Sequence, residues 1–157
     1  VYRSWFCGAS LLGTIALLSA CASPAISDKP AAFDLTGTTW QLRSIQSMDD
    51  TQPTITLEQP ELYTLHFQNN NLVSLRLDCN RGSSSWQATP SSSGASGQLT
   101  FGPIAMTRMF CPPPSLDNRV ARDLSFVRSY LLRDGNLHLS LMADGGIYEW
   151  QPTSHQP

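Results

Sequence analysis

Tyr63-Thr64-Leu65-His66-Phe67, then Asn69-Asn70-Asn71, then Val73-Ser74-Leu75-Arg76-Leu77-Asp78-Cys79 follow one another along the chain. On both sides of the asparagines an apolar residue falls at every second position. A strand sends successive side chains to opposite faces, so each run reads as a strand with one buried face. Asparagine tolerates the left-handed backbone of a tight turn, so the asparagines join the runs as a hairpin. The same alternation puts Cys79 on the buried side with Val73, Leu75 and Leu77.

The period of two continues outward. Trp40 and Leu42 alternate with Gln41 and Arg43, and Leu137, Leu139 and Leu141 with His138 and Ser140. Asp134-Gly135 and Asp144-Gly145-Gly146 bracket the latter run and predict a meander over Leu131–Trp150. Ser83–Ala88 and Gln98–Phe101 read as short strands on either side of a Ser- and Gly-rich exposed loop over 89–97. One segment departs from this period. Leu116, Val120, Leu124, Val127 and Leu131 recur at intervals of four, four, three and four, which predicts an amphipathic helix over 116–131. Pro112-Pro113-Pro114 stops any strand before it, Ser115 suits an N-cap, and Asp117 suits the first turn. Arg119, Arg122 and Arg128 fall mostly off the stripe and read as a solvated face with Asp123 rather than an anion site. The expected fold is mainly β (α+β): a small antiparallel, barrel-like sheet of about seven to nine short strands, with one helix closing a side.

At 157 residues the chain suits one domain. Charged residues make up 14% and the formal charge is -2, with no basic block, which argues against nucleic acid as a partner. Arg3 precedes an apolar run, Trp5–Leu18, and no charge occurs from Ser4 to Ser27. The chain opens on Val1, so the region ahead of the apolar run is short. Such a run reads as an export signal. Its end, Leu18-Ser19-Ala20-Cys21, resembles the lipobox of bacterial lipoproteins, whose cysteine is acylated and becomes the new N-terminus. The expected organisation is a signal peptide over 1–20, a lipid-anchored tether over 21–34 rich in Ala, Ser and Pro, a domain over 35–151 and a tail over 152–157. Cleavage would remove Cys7. Membrane attachment would run through the lipid on Cys21, and Ala22 behind it, in place of Asp, points to the outer membrane. The competing reading is an uncleaved anchor, since about 18 apolar residues can span a bilayer.

The sequence carries no G-x-S-x-G, P-loop, G-x-G-x-x-G, H-E-x-x-H or C-x-x-C signature. His66, His138 and His155 are far apart, without Cys, Asp or Glu at ligand spacing. No enzyme activity, cofactor or metal is expected. After processing, Cys79 and Cys111 would be the two remaining thiols. In an oxidising compartment an even pair is usually bonded. The alternatives are two buried free thiols, or a reactive thiolate beside Arg81 or Arg108.

Three blocks resemble the META (HslJ-like) domain family. They are Leu35-Thr36-Gly37-Thr38-Thr39-Trp40-Gln41-Leu42, Asp78-Cys79-Asn80-Arg81, and Phe101-Gly102-Pro103-Ile104-Ala105-Met106-Thr107-Arg108-Met109-Phe110-Cys111-Pro112. Trp40, Asn80, Thr107 and Met109 carry the motif. Two departures are visible: Asp78 stands where the family commonly has Gly, and the helix lacks the acidic residue usual in its first turns. The resemblance implies a small β-rich domain with one helix, often a lipoprotein or periplasmic, linked to stress response and in some members to drug tolerance or virulence. It supplies no established activity. The expected function is therefore non-catalytic: a monomeric, lipid-anchored envelope protein that serves stress response or envelope maintenance by binding a partner. The alternative is a carrier or pilot lipoprotein holding an apolar ligand or peptide between sheet and helix. Trp40, Phe67, Trp86, Phe101 and Trp150 would line such a pocket, but a domain of this size needs them as core.

Overall fold

The computed structural model describes residues 33–142 and 145–153. The signal segment with Cys7, Cys21, the tether as far as Ala32, Asp144 and His155 lie outside the described residues. Among these described residues ten strands, one α-helix and a short 3-10 turn at Pro60–Leu62 follow in chain order: β1 Thr39–Gln46, β2 Ile55–Thr56, β3 Tyr63–Phe67, β4 Leu72–Leu77, β5 Asn80–Pro90, β6 Ser96–Phe101, β7 Ala105–Met106, α1 Asp117–Leu124, β8 Val127–Arg133, β9 Asn136–Leu141 and β10 Ile147–Pro152.

Leaving aside the two-residue strands β2 and β7, each strand pairs antiparallel with the next in sequence, and β10 pairs back onto β1. The result is a closed, eight-stranded up-and-down barrel, which leaves no long sheet edge exposed. The hairpins follow from turn chemistry. Asn71, Asp78 and Asp134 have positive φ (59°, 59° and 54°), and Gly135 completes a two-residue turn at 78°. Proline in the last strand sits at a terminal position: Pro152 pairs with Trp40, so the sheet runs one residue into the segment read as tail.

Alternation delivers the core. Leu42, Leu65, Phe67, Val73, Leu77, Leu99, Leu137, Leu139 and Trp150 are each 0% exposed. Phe67 packs edge-on against Trp86 with ring centroids 5.1 Å apart and lies 6.1 Å from Phe101. All five aromatics considered as pocket lining are buried in this one core. Two β-bulges change the face that a strand presents. The register of β1 shifts between Leu42 and Ser44, which brings Ile45 inward after Trp40 and Leu42. The register of β8 shifts between Val127 and Ser129, which turns Tyr130 inward and Leu131 outward, 40% exposed.

That second bulge corrects the expected helix. It covers Asp117–Leu124 rather than 116–131, and Val127 and Leu131 belong to a strand. Its spacing of four imitates a helical stripe, but chain reversal begins at Ser125, whose hydroxyl donates to the Arg122 carbonyl. Ser115 is not the N-cap either. Leu116 occupies that position, and the Ser115 hydroxyl oxygen accepts from the Asp117 N–H instead. Cys79 is corrected too: β4 ends at Leu77, and Cys79 is the half-buried second residue of the β4–β5 turn.

Strand polarity assigns every connection to one of two barrel ends. The β3–β4, β5–β6 and β8–β9 turns share one end with the incoming chain at Phe33 and the outgoing chain at Thr153. The β1–β3, β4–β5, β6–β8 and β9–β10 connections share the other end. There α1 closes the barrel, with Val120 and Leu124 buried in the core.

Candidate functional site

The long β6–β8 connection at the helix-capped end concentrates the unusual features. It begins at Gly102, lays β7 against β5, passes the three prolines and enters α1. The close approach of β7 requires Gly82, since a Cβ there would sit 2.8 Å from the Ala105 carbonyl oxygen. Beyond β7, Asn80 organises the segment. Asn80 opens β5, faces inward and is 1% exposed. Its Oδ1 accepts from the Met109 N–H at 2.8 Å and the Thr107 hydroxyl at 2.8 Å. Its Nδ2 donates to the Asp117 Oδ2 at 2.9 Å and the Met109 carbonyl at 3.1 Å, with Cys111 Sγ at 3.2 Å. One buried amide thus satisfies both backbone groups of Met109 and holds the helix start.

A disulfide joins Cys79 to Cys111, whose Cα atoms are 5.7 Å apart. Of the three readings open to this pair, the bond is the observed one. It ties the β4–β5 turn to the proline segment. Asp78 shapes that turn: its φ of 59° lies in the left-handed region where glycine is at ease, so the Gly that the sequence resemblance implies at this position would fit the same backbone.

With its backbone pinned, the segment holds two apolar side chains out to solvent. Met109 is 62% exposed and Phe110 is 85% exposed. A separate open cleft of about 530 Å³, which neither Met109 nor Phe110 lines, lies between the β2–Leu62 stretch and the proline segment. Leu57, Leu62 and Leu116 line it with Pro112 and Pro114, and Glu58 and Asp78 edge it. The hydroxyl of buried Tyr63 accepts from the Leu116 N–H at 2.9 Å and fixes one wall.

A family model for the META domain matches residues 33–153. The chain belongs to the META domain family. An NMR structure of a protein from Burkholderia xenovorans is similar to this META domain with a TM-score of 0.62 and 18% identity, covering 77% of this chain and 85% of that one. A crystal structure of a DUF4847 family protein from Bacteroides vulgatus gives a TM-score of 0.51 and 10% identity, covering 77% of this chain and 95% of that one. At such identities the likeness shows the fold alone. No curated protein matches the chain.

Of the motif residues, the META domain brings Asn80, Thr107 and Met109 together with the disulfide. Trp40 lies elsewhere: it pairs with Leu65 and Pro152 near the other end, and its indole N–H donates to the Thr38 hydroxyl at 2.7 Å. The expected lack of an acidic residue in the helix's first turn is corrected by Asp117, which is 5% exposed and bonded to Asn80. Arg119 and Arg122 pair with Asp123 at 3.6 and 3.0 Å, as the solvated-face reading anticipates. Among the described residues no three His, Cys, Asp or Glu side chains cluster as metal ligands.

Asp123 also accepts from the Tyr148 hydroxyl. Burial, then the Asp123 hydrogen bond and charge, raise the Tyr148 pKa well above its ordinary 10.0. The folded state holds this proton while the unfolded chain releases it near pH 10. Tyr148 therefore supports stability fully below pH 10, and that support is lost as pH rises beyond it. Tyr148→Phe should flatten the decline of unfolding free energy above pH 10 in urea titrations. Parallel declines for the two proteins would contradict this coupling.

Proposed function

We propose that this META domain is a non-catalytic, lipid-anchored envelope protein that acts by binding a protein partner at the helix-capped end of its barrel. The observation that carries the reading is Phe110, 85% exposed on a segment that a disulfide and a buried asparagine hold in place. A rigid, solvent-facing aromatic loses little freedom when a partner covers it, which is the property of an interface anchor. The lipobox-like Leu18-Ser19-Ala20-Cys21 supports anchoring, and Ala22 supports the outer membrane. An anchor on Cys21 also suits the geometry, because Phe33 enters at the barrel end opposite Phe110. The family's link to stress response supports a role in envelope maintenance. A carrier with an apolar ligand between sheet and helix is less well supported, since Val120 and Leu124 of α1 pack directly into the filled core.

A photoreactive residue at position 110, expressed in cells, should give a discrete protein adduct, identified by mass spectrometry together with a lipid-modified Cys21. The same residue at exposed Gln98, on the barrel wall, should give none. Phe110→Ala should abolish the adduct formed from position 109 yet change stability by less than about 0.5 kcal/mol, since so exposed a side chain buries little area. Equal labelling from positions 98 and 110 would reject the docking end, and an unmodified Cys21 would reject the anchor.

A further inference from the structure

We infer that the cleft beside the proline segment receives an extended segment of the partner protein, which adds to the free edge of β2 and carries apolar residues alternating with Lys or Arg. This deepens the partner-binding reading and rests on it. Three observations lead there.

The first is an unpaired strand edge. At the other end of the barrel β3 pairs with Thr39–Gln41 of β1, but at the helix-capped end β2 takes over that side of β1, opposite Ser44 and Ile45. The Leu57 N–H donates to the Arg43 carbonyl at 2.9 Å. Antiparallel pairs alternate between bonded and non-bonded, so the intervening Ser44–Thr56 pair turns the Thr56 N–H and C=O away from β1. Among the described residues no strand pairs with that edge of β2. A closed barrel removes its long edges; the short strands β2 and β7 each keep a free one among the described residues, and of the two only β2 lines this cleft.

The second is the surface beside that edge. Half-buried Leu57, Leu62 and Leu116 offer an apolar floor to every second side chain of an added strand. The third is charge. Glu58 and Asp78 border the cleft, no basic residue lines it, and neither carboxylate joins an ion pair among the described residues. Lys or Arg side chains on the incoming segment would face these carboxylates, while Arg76 and Arg81, outside the lining, donate to the Asp78 backbone carbonyl.

The test is selection of displayed random peptides, about ten residues long, on the immobilised full chain, followed by fluorescence anisotropy of the enriched peptide. Enriched sequences should alternate apolar residues with Lys or Arg. Methylating the peptide's backbone nitrogens at alternate positions should weaken binding about ten-fold or more in one phase of the alternation and leave the other phase unaffected. This readout leaves the protein unaltered. Thr56→Pro, tolerable on an edge strand, should weaken binding similarly, whereas Thr56→Val should not. Glu58→Lys and Asp78→Lys should each weaken it several-fold, less so at high salt. No enrichment over the bare support, acidic consensus sequences, or indifference to both backbone methylation phases would overturn the inference. If the adduct at position 110 forms while selection fails, partner binding stands and strand addition falls.

Discussion

Replacing Cys79 and Cys111 together by serine is expected to lower stability by roughly 3 to 4 kcal/mol. The bond closes a sequence separation of 32 residues, and closing a loop of that length in the unfolded chain removes entropy of about this size. The loss should appear as a lower denaturant midpoint with a somewhat steeper slope, because the unfolded chain freed of the bond is less compact and exposes more surface. Reducing the parent protein should reproduce most of the effect. Cys111 is 9% exposed and sits beside Asn80, so a single Cys79→Ser change leaves a thiol in that packed surrounding without creating a large cavity. It should therefore cost nearly as much as the double change, and the second substitution should add little. A double variant with an unchanged midpoint would show the bond to be idle. The consequence would reach beyond stability. The bond anchors the segment that displays Phe110, so its loss should weaken partner capture from position 110 more than the midpoint alone would suggest.

The barrel was legible in the sequence wherever a strand keeps strict alternation. Tyr63–Phe67, Leu72–Leu77 and Asn136–Leu141 pair as their apolar periods predict, and the Asn71 and Asp134-Gly135 turns fall where the turn residues do. The reading fails where one extra residue changes the face. The bulge near Val127 made a strand imitate the continuation of a helix, and the bulge near Arg43 turns Ile45 into the core where strict alternation from Trp40 and Leu42 would place it outside. Side-chain chemistry at the site was less legible. Cys79 extends an alternating run, so nothing local marked it as a turn residue, and Asn80 then took the buried place. Asp117 reads as an ordinary first-turn acid until Asn80, 37 residues away, is seen to donate to it. Phe110 was illegible in another sense. An apolar residue in a sequence is assumed to be core, and its exposure follows only from the bonds that hold Met109 on one side and Cys111 on the other.

Asn80→Ala is expected to cost about 3 kcal/mol, comparable to the disulfide. The change removes little volume, so the cost lies in the groups left behind. The Met109 N–H and carbonyl, the Thr107 hydroxyl and the Asp117 carboxylate each lose a hydrogen bond. A buried group without a partner costs about 1 to 3 kcal/mol, and those near the exposed segment recover part of that from water. Hydrogen exchange should rise first at Thr107–Phe110, ahead of the barrel strands, because the segment opens locally while the disulfide keeps it attached. Asn80→Asp separates hydrogen bonding from packing. It retains the acceptor for Met109 and Thr107 but sets a second carboxyl against Asp117, where the amide nitrogen now donates at 2.9 Å. Two carboxylates so close cannot both ionise cheaply, so the pair shares a proton and one folded-state pKa rises. A raised carboxyl pKa means that stability is retained in acid and lost as pH climbs above the unfolded value of about 4, through the folded one. Asn80→Asp should therefore approach the parent near pH 4 and fall toward Asn80→Ala at neutral pH. A deficit that does not change with pH would show that Asn80 acts through its shape rather than through its bond to Asp117.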